Sequence, residues 1–242
     1  MNASYFQFKQ FGVSQDRCAM KVGTDGVLLG AWVHVDHNPG RILDVGSGTG
    51  VIALMLAQRC PKAEIDGVEL DAEAFEQCVE NFEQSPWDIN LFNYHIRFQE
   101  FAREIEDKYD LIVSNPPFFD HPDSPDNSRK LARDKSALPL DALISGAAEL
   151  LSKEGRLALV LPATEEQYLK GLFQKHNFVL LRMTKVRGND QSQVKRILIE
   201  CQKAKSENTS YDTVIDELII ERQRHTYTEQ YKALVREFYL KM

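Results

Sequence analysis

Long apolar runs, paired cysteines and a basic charge balance are all missing from this sequence, and each absence removes a class of protein. No stretch of the 242 residues approaches the roughly 18–20 consecutive apolar residues of a membrane span. The opening "MNASYFQFKQF" has neither the basic patch, the apolar run nor the cleavage site of a secretory signal, so a cytoplasmic protein is expected. The four cysteines, Cys18, Cys60, Cys78 and Cys201, form no CxxC pair, and the six histidines are scattered. Free thiols are expected, and neither a disulfide framework nor a metal. A net charge of −7 counts against nucleic-acid binding as a bulk property, though not against a local basic face. Internal repeats and low-complexity tracts are absent as well.

What is present is an alternation of strand and helix patterns. "RILDVG" (41–46), "AEIDGVEL" (63–70), "NYHIRFQ" (93–99), "YDLIVSN" (109–115) and "RLALVLP" (156–162) read as strands. Helices are predicted at 49–60, 71–85, 140–155 (stopped by Gly155) and 163–177. "FVLLRMTKV" (178–186) and "KRILIECQ" (195–202) leave no room for a helix between them, so they are predicted to form an antiparallel hairpin. The expected fold class is α/β: a doubly wound sheet, mostly parallel with one antiparallel strand. Ligands on such sheets bind at the carboxyl ends of the strands, near the switch in strand order.

Unusual residues gather at those ends. Strand one runs into "LDVGSGTG", where Gly46, Gly48 and Gly50 let the backbone turn and a ligand approach. The spacing is G-x-G-x-G, and Val51 stands where a dinucleotide fingerprint needs its third glycine, which disfavours nicotinamide cofactors. Asp44 is a carboxylate inside an apolar strand and needs donors or a cationic partner. Glu69, followed by Leu70, closes strand two at about the interval where an acidic side chain accepts ribose hydroxyls. Glu100 and Phe101 at the end of strand three are placed to meet an adenine edge and face, Glu100 being either that contact or a surface carboxylate. Strand four ends in "VSNPPFF". There the Asn115 side-chain oxygen and the Pro116 carbonyl, stiffened by proline, can each accept one N–H of a flat amine, with Phe118 stacked on its ring.

The series LDVGSGTG, Glu69, Glu100 and NPPF resembles the class I S-adenosylmethionine-dependent methyltransferases, in particular the subset that methylates planar nitrogen. The resemblance implies a Rossmann-like sheet, S-adenosylmethionine as cofactor, and Lys21, Thr24 and Asp25 in contact with the cofactor's methionine end. "YFQFKQFGVSQDRCAMKVGTDGVLLGAW", "NPPFF", "KLARDKSALPLDALI" and "VKRILIE" are similar to the bacterial tRNA (adenine-N6)-methyltransferases that modify adenine 37 of a valine tRNA, next to the anticodon. That similarity implies that Asn115, Pro116 and Phe118 hold the adenine beside Pro117. It also implies that cations near the site grip phosphate: Arg129, Lys130 and Arg133 after the proline motif, Arg187 and Lys195 in the hairpin. Residues 182–196 carry five Lys/Arg against one Asp, a local +4 that is either such a grip or a solvated face.

The expected organisation is one methyltransferase domain over 1–242, with a cofactor-closing segment at 1–35, a core at 36–202 and a helical extension at 203–242. No obligatory protein partner is indicated. Guanine-N2 methylation of ribosomal RNA, protein-glutamine N5-methylation and a non-enzymatic RNA-binding scaffold are the competing functions.

Overall fold

Strands buried on both faces read as continuous apolar runs, and the middle of this sheet is made of them. The computed structural model describes residues 4–117, 138–205 and 212–242. A hairpin of β1 (Tyr5–Gln7) and β2 (Gly12–Ser14) precedes α1 (Thr24–Trp32). Then come β3 (Arg41–Val45), α2 (Val51–Arg59), β4 (Glu64–Glu69), α3 (Ala72–Glu83), β5 (Leu91–His95), α4 (Phe98–Glu104) and β6 (Tyr109–Ser114). After these follow α5 (Leu140–Leu150), β7 (Leu151–Pro162), α6 (Glu166–His176), β8 (Phe178–Arg187), β9 (Val194–Lys203) and β10 (Val214–Ile219). The chain closes with β11 (Glu221–Gln223), β12 (Thr226–Tyr227) and α7 (Glu229–Val235).

The main sheet has the order β10-β8-β9-β7-β6-β3-β4-β5. Only β9 opposes its neighbours, so the sheet is mostly parallel with one antiparallel strand, as expected. The two-residue period of a strand sorts its side chains into two layers. Ile42, Ile65, Leu111, Val113, Val160 and Leu198 pack with α1, α2 and α7. Leu43, Val45, Ile112, Leu157, Leu159 and Ile199 pack with α4, α5 and α6.

Three expectations need correction. The third strand ends at His95, and Phe98–Glu104 is a helix, so Glu100 and Phe101 are not at a strand end. Helix α5 stops at Leu150, and Gly155 lies inside β7. At Gly155 the register shifts, and a Cβ there would stand 2.6 Å from the Tyr109 carbonyl oxygen. The "helical" extension begins with strand β10 along the sheet edge, and only Glu229–Val235 is helical. The chain start, for which no element was predicted, is a hairpin joined to the chain end: Lys9 N–H donates to the Phe238 carbonyl at 2.8 Å, and Phe8 stacks on Tyr239. The expected thiols are present, with Cys18, Cys78 and Cys201 buried and Cys60 half-buried, all unpaired.

The antiparallel strand is anchored by a buried charge. Glu200 of β9, 1% exposed, accepts Arg156 Nη1 of β7 at 2.6 Å and the His34 amide at 3.2 Å, tying the exit of α1 to the sheet. Removing one member of such a pair leaves an uncompensated charge, which costs about 3–5 kcal/mol. Arg156→Met is therefore expected to lower stability by about 3 kcal/mol, read as a fall in the urea midpoint at unchanged slope.

Candidate active site at the switch point of the sheet

The chain runs outward through β3, β4 and β5, then returns to place β6 on the other side of β3. Val45 and Ser114 are partners in the β3–β6 register, so the next residues, Gly46 and Asn115, leave the sheet side by side. The buried Ser114 hydroxyl donates to the Val45 carbonyl at 2.7 Å and clamps the two strand ends together. Among parallel strands, this is where ligands are received.

The glycine loop has φ values of +76° at Gly46, +54° at Gly48 and +77° at Gly50, a region that side chains avoid. Its ends serve different needs. A Cβ built on Gly46 meets nothing within 4 Å among the described residues, whereas one on Gly50 would lie 2.6 Å from Phe82 and 2.8 Å from the Cys78 sulfur. Gly46 thus faces open space, a cradle that a side chain would fill. Gly50 lets α3 press against the loop.

Helix α2 begins at that loop without a side-chain cap, because its N-cap is Gly50. Asp44 supplies the missing acceptor from the neighbouring strand: its Oδ2 accepts Ala53 N–H at 3.1 Å. The expected donor is therefore a helix end. Asp44 is fully buried, and its Oδ1 has no partner among the described residues. Burial pushes the carboxyl up to about 7, against the Ala53 N–H and with help from the charge of Glu69.

Glu69 braces the loop from β4. Its Oε2 accepts Gly48 N–H at 2.9 Å, and its Oε1 accepts the amides of Leu70 and Asp71 at 2.8 and 2.9 Å. Carboxylate oxygens have further acceptor capacity, so this bracing leaves room for hydroxyl donors. Cys18 lies near enough to feel that charge; burial first, then Glu69, raises its thiol to about 11.

At the other strand end, Asn115 is half-buried, but its Oδ1 is enclosed with no partner among the described residues. An unmet acceptor of this kind costs about 1–3 kcal/mol. Pro116 is buried and Pro117 exposed. Phe118, Arg129, Lys130 and Arg133 lie outside the described residues.

The remaining candidates are distributed unevenly. Lys21 and Thr24 are exposed at the start of α1, while Asp25 is ion-paired with Arg196 of β9. Burial raises the Asp25 carboxyl and Arg196 opposes the rise. Phe101 is 2% exposed and packs against Tyr94 at 5.4 Å, so it presents no free face for a base, a correction to the sequence reading. Glu100 is exposed on α4.

The local +4 shrinks on inspection. Arg187 pairs with Glu217 and donates to the Ser192 carbonyl at 2.9 Å, Lys185 faces Glu166 at 3.9 Å, and Arg182 lies over the Trp32 ring at 4.2 Å. Lys195 is exposed and makes no ion pair among the described residues.

Sequence reasoning missed Asn81, the residue joining the chain start to the loop. Its Nδ2 donates to the carbonyls of Ser14 and Thr49, both at 2.9 Å, and its Oδ1 accepts Ser14 N–H at 2.8 Å. One turn earlier, Gln77 accepts Arg17 N–H at 3.0 Å. Two amides on the buried face of an amphipathic helix were the available signal.

A doubly wound sheet with a glycine loop beside an Asn-Pro-Pro strand end defines a Rossmann-like methyltransferase. Residues 26–184 match the methyltransferase small domain model, and the chain belongs to that family. It is 51% identical, over all of both chains, to the tRNA1(Val) (adenine(37)-N6)-methyltransferase of Christiangramia forsetii. The enzyme of that name from Flavobacterium johnsoniae is 50% identical over 98% of this chain and 100% of its own. Among solved structures, a protein described as a predicted O-methyltransferase from Agrobacterium tumefaciens superposes with a TM-score of 0.68 at 18% identity, over 88% of this chain and 96% of the other. The ribosomal protein L11 methylase of Lactobacillus delbrueckii gives 0.53 at 14% identity, over 74% and 76%. These two show the fold.

Two predictions follow from the loop. Gly50→Ala combines backbone strain with a clash and should cost about 2 kcal/mol or more of stability. Gly46→Ala should cost about 1 kcal/mol of strain and show mainly as weaker S-adenosylhomocysteine binding in calorimetry. The Asp44 carboxyl has its folded pKa raised above its unfolded value near 4, so its contribution is fully present below pH 4 and lost as pH rises toward about 7. Asp44→Asn should flatten the fall in stability across that window, measured by denaturation at pH 5 and pH 7.

Proposed function

We propose that this chain transfers a methyl group to the exocyclic N6 of an adenine in tRNA, at adenine 37 of a valine tRNA. The observation carrying this reading is the enclosed Asn115 Oδ1, without a partner among the described residues and fixed beside the glycine loop by the Ser114–Val45 hydrogen bond. Full-length similarity to enzymes named for that reaction supports the choice of adenine and of tRNA.

S-adenosylmethionine, when bound, supplies an electrophilic methyl group on a sulfonium. The open cradle at Gly46 fits a ligand passing close to the backbone. Gly46, Gly48 and Gly50 shape that passage, Asp44 holds the helix behind it, and Glu69 with Leu70 receives the ribose. Lys21, Thr24 and Asp25 border the methionine end, with Arg196 sharing Asp25. An adenine amine is a weak nucleophile because its lone pair is delocalised into the ring. Asn115 Oδ1 and the Pro116 carbonyl would accept its two hydrogens and turn the lone pair toward the methyl group, and no strong base is required. Alignment of this sort can supply roughly 7–11 kcal/mol. Phe118 stacks on the base next to Pro117, and Arg129, Lys130, Arg133 and Lys195 meet phosphates. An anticodon-loop adenine is largely unstacked, so presenting it costs little. The enzyme acts in the cytoplasm, with its RNA substrate.

The test is radiolabelled methyl transfer into tRNA, ribosomal RNA and protein fractions, followed by nucleoside analysis. N6-methyladenosine from tRNA is the expected product; label in N2-methylguanosine or in protein would overturn the reading. Asn115→Ala should lower turnover by at least about a hundredfold while S-adenosylhomocysteine affinity stays within about twofold. Equal loss of both would make Asn115 a structural residue.

A further inference from the structure

Of the cations that sequence reasoning assigned to RNA, Arg187 is held by Glu217 and the Ser192 carbonyl while Lys195 is exposed, and the structure puts two further exposed arginines nearby. Strand β10 lies parallel to β8 with Ile219 opposite Arg187, and the chain then continues past the carboxyl edge of the sheet. Ile220 N–H donates to the Arg187 carbonyl at 3.0 Å and Glu221 N–H to the Gly188 carbonyl at 2.9 Å. These bonds hold the β11–β12 hairpin on the rim where Gly46 and Asn115 emerge. The hairpin reads "ERQRHTY", with His225 at φ +65° forming its tight turn.

Arg222 and Arg224 are exposed on this hairpin, and neither makes an ion pair or a side-chain hydrogen bond among the described residues. Of the carboxylates beside them, Glu221 Oε1 accepts His225 N–H at 3.3 Å, and Glu229 is paired with Lys232 at 3.0 Å while also feeling the charge of Arg222. Lys195, at the start of β9 on the same rim, is likewise exposed and unpaired. In a chain of net charge −7, these three exposed cations without ion pairs outnumber Asp190 and Glu221 beside them and leave this part of the rim slightly positive. The hairpin continues β10, which stands four strands from β6, about 19 Å at the usual spacing. That is too far for the reacting base and suits a neighbouring stretch of the same RNA.

We infer that the β11–β12 hairpin, through Arg222 and Arg224 together with Lys195, binds the phosphate backbone of the tRNA outside the nucleotide being modified. The inference rests on the tRNA reading above and adds a second contact to it. Arginine suits the task because its planar fork binds phosphate oxygens two at a time. Because the contact is to phosphate, it carries affinity rather than sequence choice.

The test uses the full-length chain and an unmodified valine tRNA transcript, titrated at several salt concentrations. The Arg222→Glu/Arg224→Glu variant should bind the transcript about tenfold more weakly at moderate salt. The slope of log affinity against log salt should shrink by about 2, near 1 per arginine. KM for tRNA should rise at unchanged kcat, with S-adenosylhomocysteine affinity and melting temperature as in the wild type. The Arg222→Lys/Arg224→Lys variant should recover most of the binding. Unchanged tRNA affinity and salt slope, in a preparation whose wild type methylates tRNA, would overturn the hairpin's role alone. A wild type that binds cofactor and methylates no tRNA would overturn the functional reading beneath it.

Discussion

The β3–β6 pairing decides where everything else can go. Because Val45 and Ser114 are in register, a glycine loop and an amide emerge from adjacent strands with no residue between them and the sheet. The Ser114 hydroxyl on the Val45 carbonyl adds a bond at the last rung, where a parallel ladder would otherwise fray. A site built this way inherits the stiffness of the sheet's centre: Ile42, Leu43, Leu111 and Ile112 beneath it are fully buried. Alignment-driven chemistry needs that stiffness, since small misplacements of the reacting atoms cost rate steeply.

Around the clamp, buried polar groups do the work that larger motifs do elsewhere. Gly50 cannot cap α2, so Asp44 does; Gly48 has no side chain to fix it, so Glu69 holds its amide. Asn81 joins the same loop to the chain start, through Thr49 on one side and Ser14 on the other. Each of these groups is met by backbone partners, whereas Asp44 Oδ1 and Asn115 Oδ1 stay unmet among the described residues. Loop glycines free the backbone, and the polar neighbours restore its order. That division explains why the loop can be both open in front of Gly46 and close-packed behind Gly50.

The sequence was most legible where burial was most complete. β3, β4, β6 and the second half of β7 are buried over most of their length, and the β8–β9 hairpin followed from the lack of room for a helix. Edges were harder. β5 buries only Leu91, so its pattern ran on into "IRFQEF", although Phe98 and Phe101 at a three-residue interval already carried a helical signal. β10 buries only Leu218 and carries Asp216 and Glu217, so it shows no strand period and was read with the helical extension. Gly155 looked like a helix stop because its true constraint, the Tyr109 carbonyl across the sheet, is remote in sequence. Asn115, Glu69 and the glycines were findable because their chemistry is odd for a strand end; Ser114 was not, since a serine there is unremarkable until its partner is known.

Charge is the property that a linear count handles worst. Residues 182–196 carry a local +4, yet their neutralising groups, Asp25, Glu166 and Glu217, arrive from α1, α6 and β10. An arginine already held by a carboxylate gains little from a phosphate, because one pair must break before the other forms, and counterion release scales only with cations free to neutralise. The hairpin at 221–227 shows the reverse case: modest in sequence, but held on the rim of the sheet with its arginines unpaired. For an acidic chain, RNA affinity therefore depends on where unpaired cations stand relative to the switch point. On the proposed reading the attraction is local, it falls as salt rises, and the choice of base is left to the acceptors at Asn115 and Pro116.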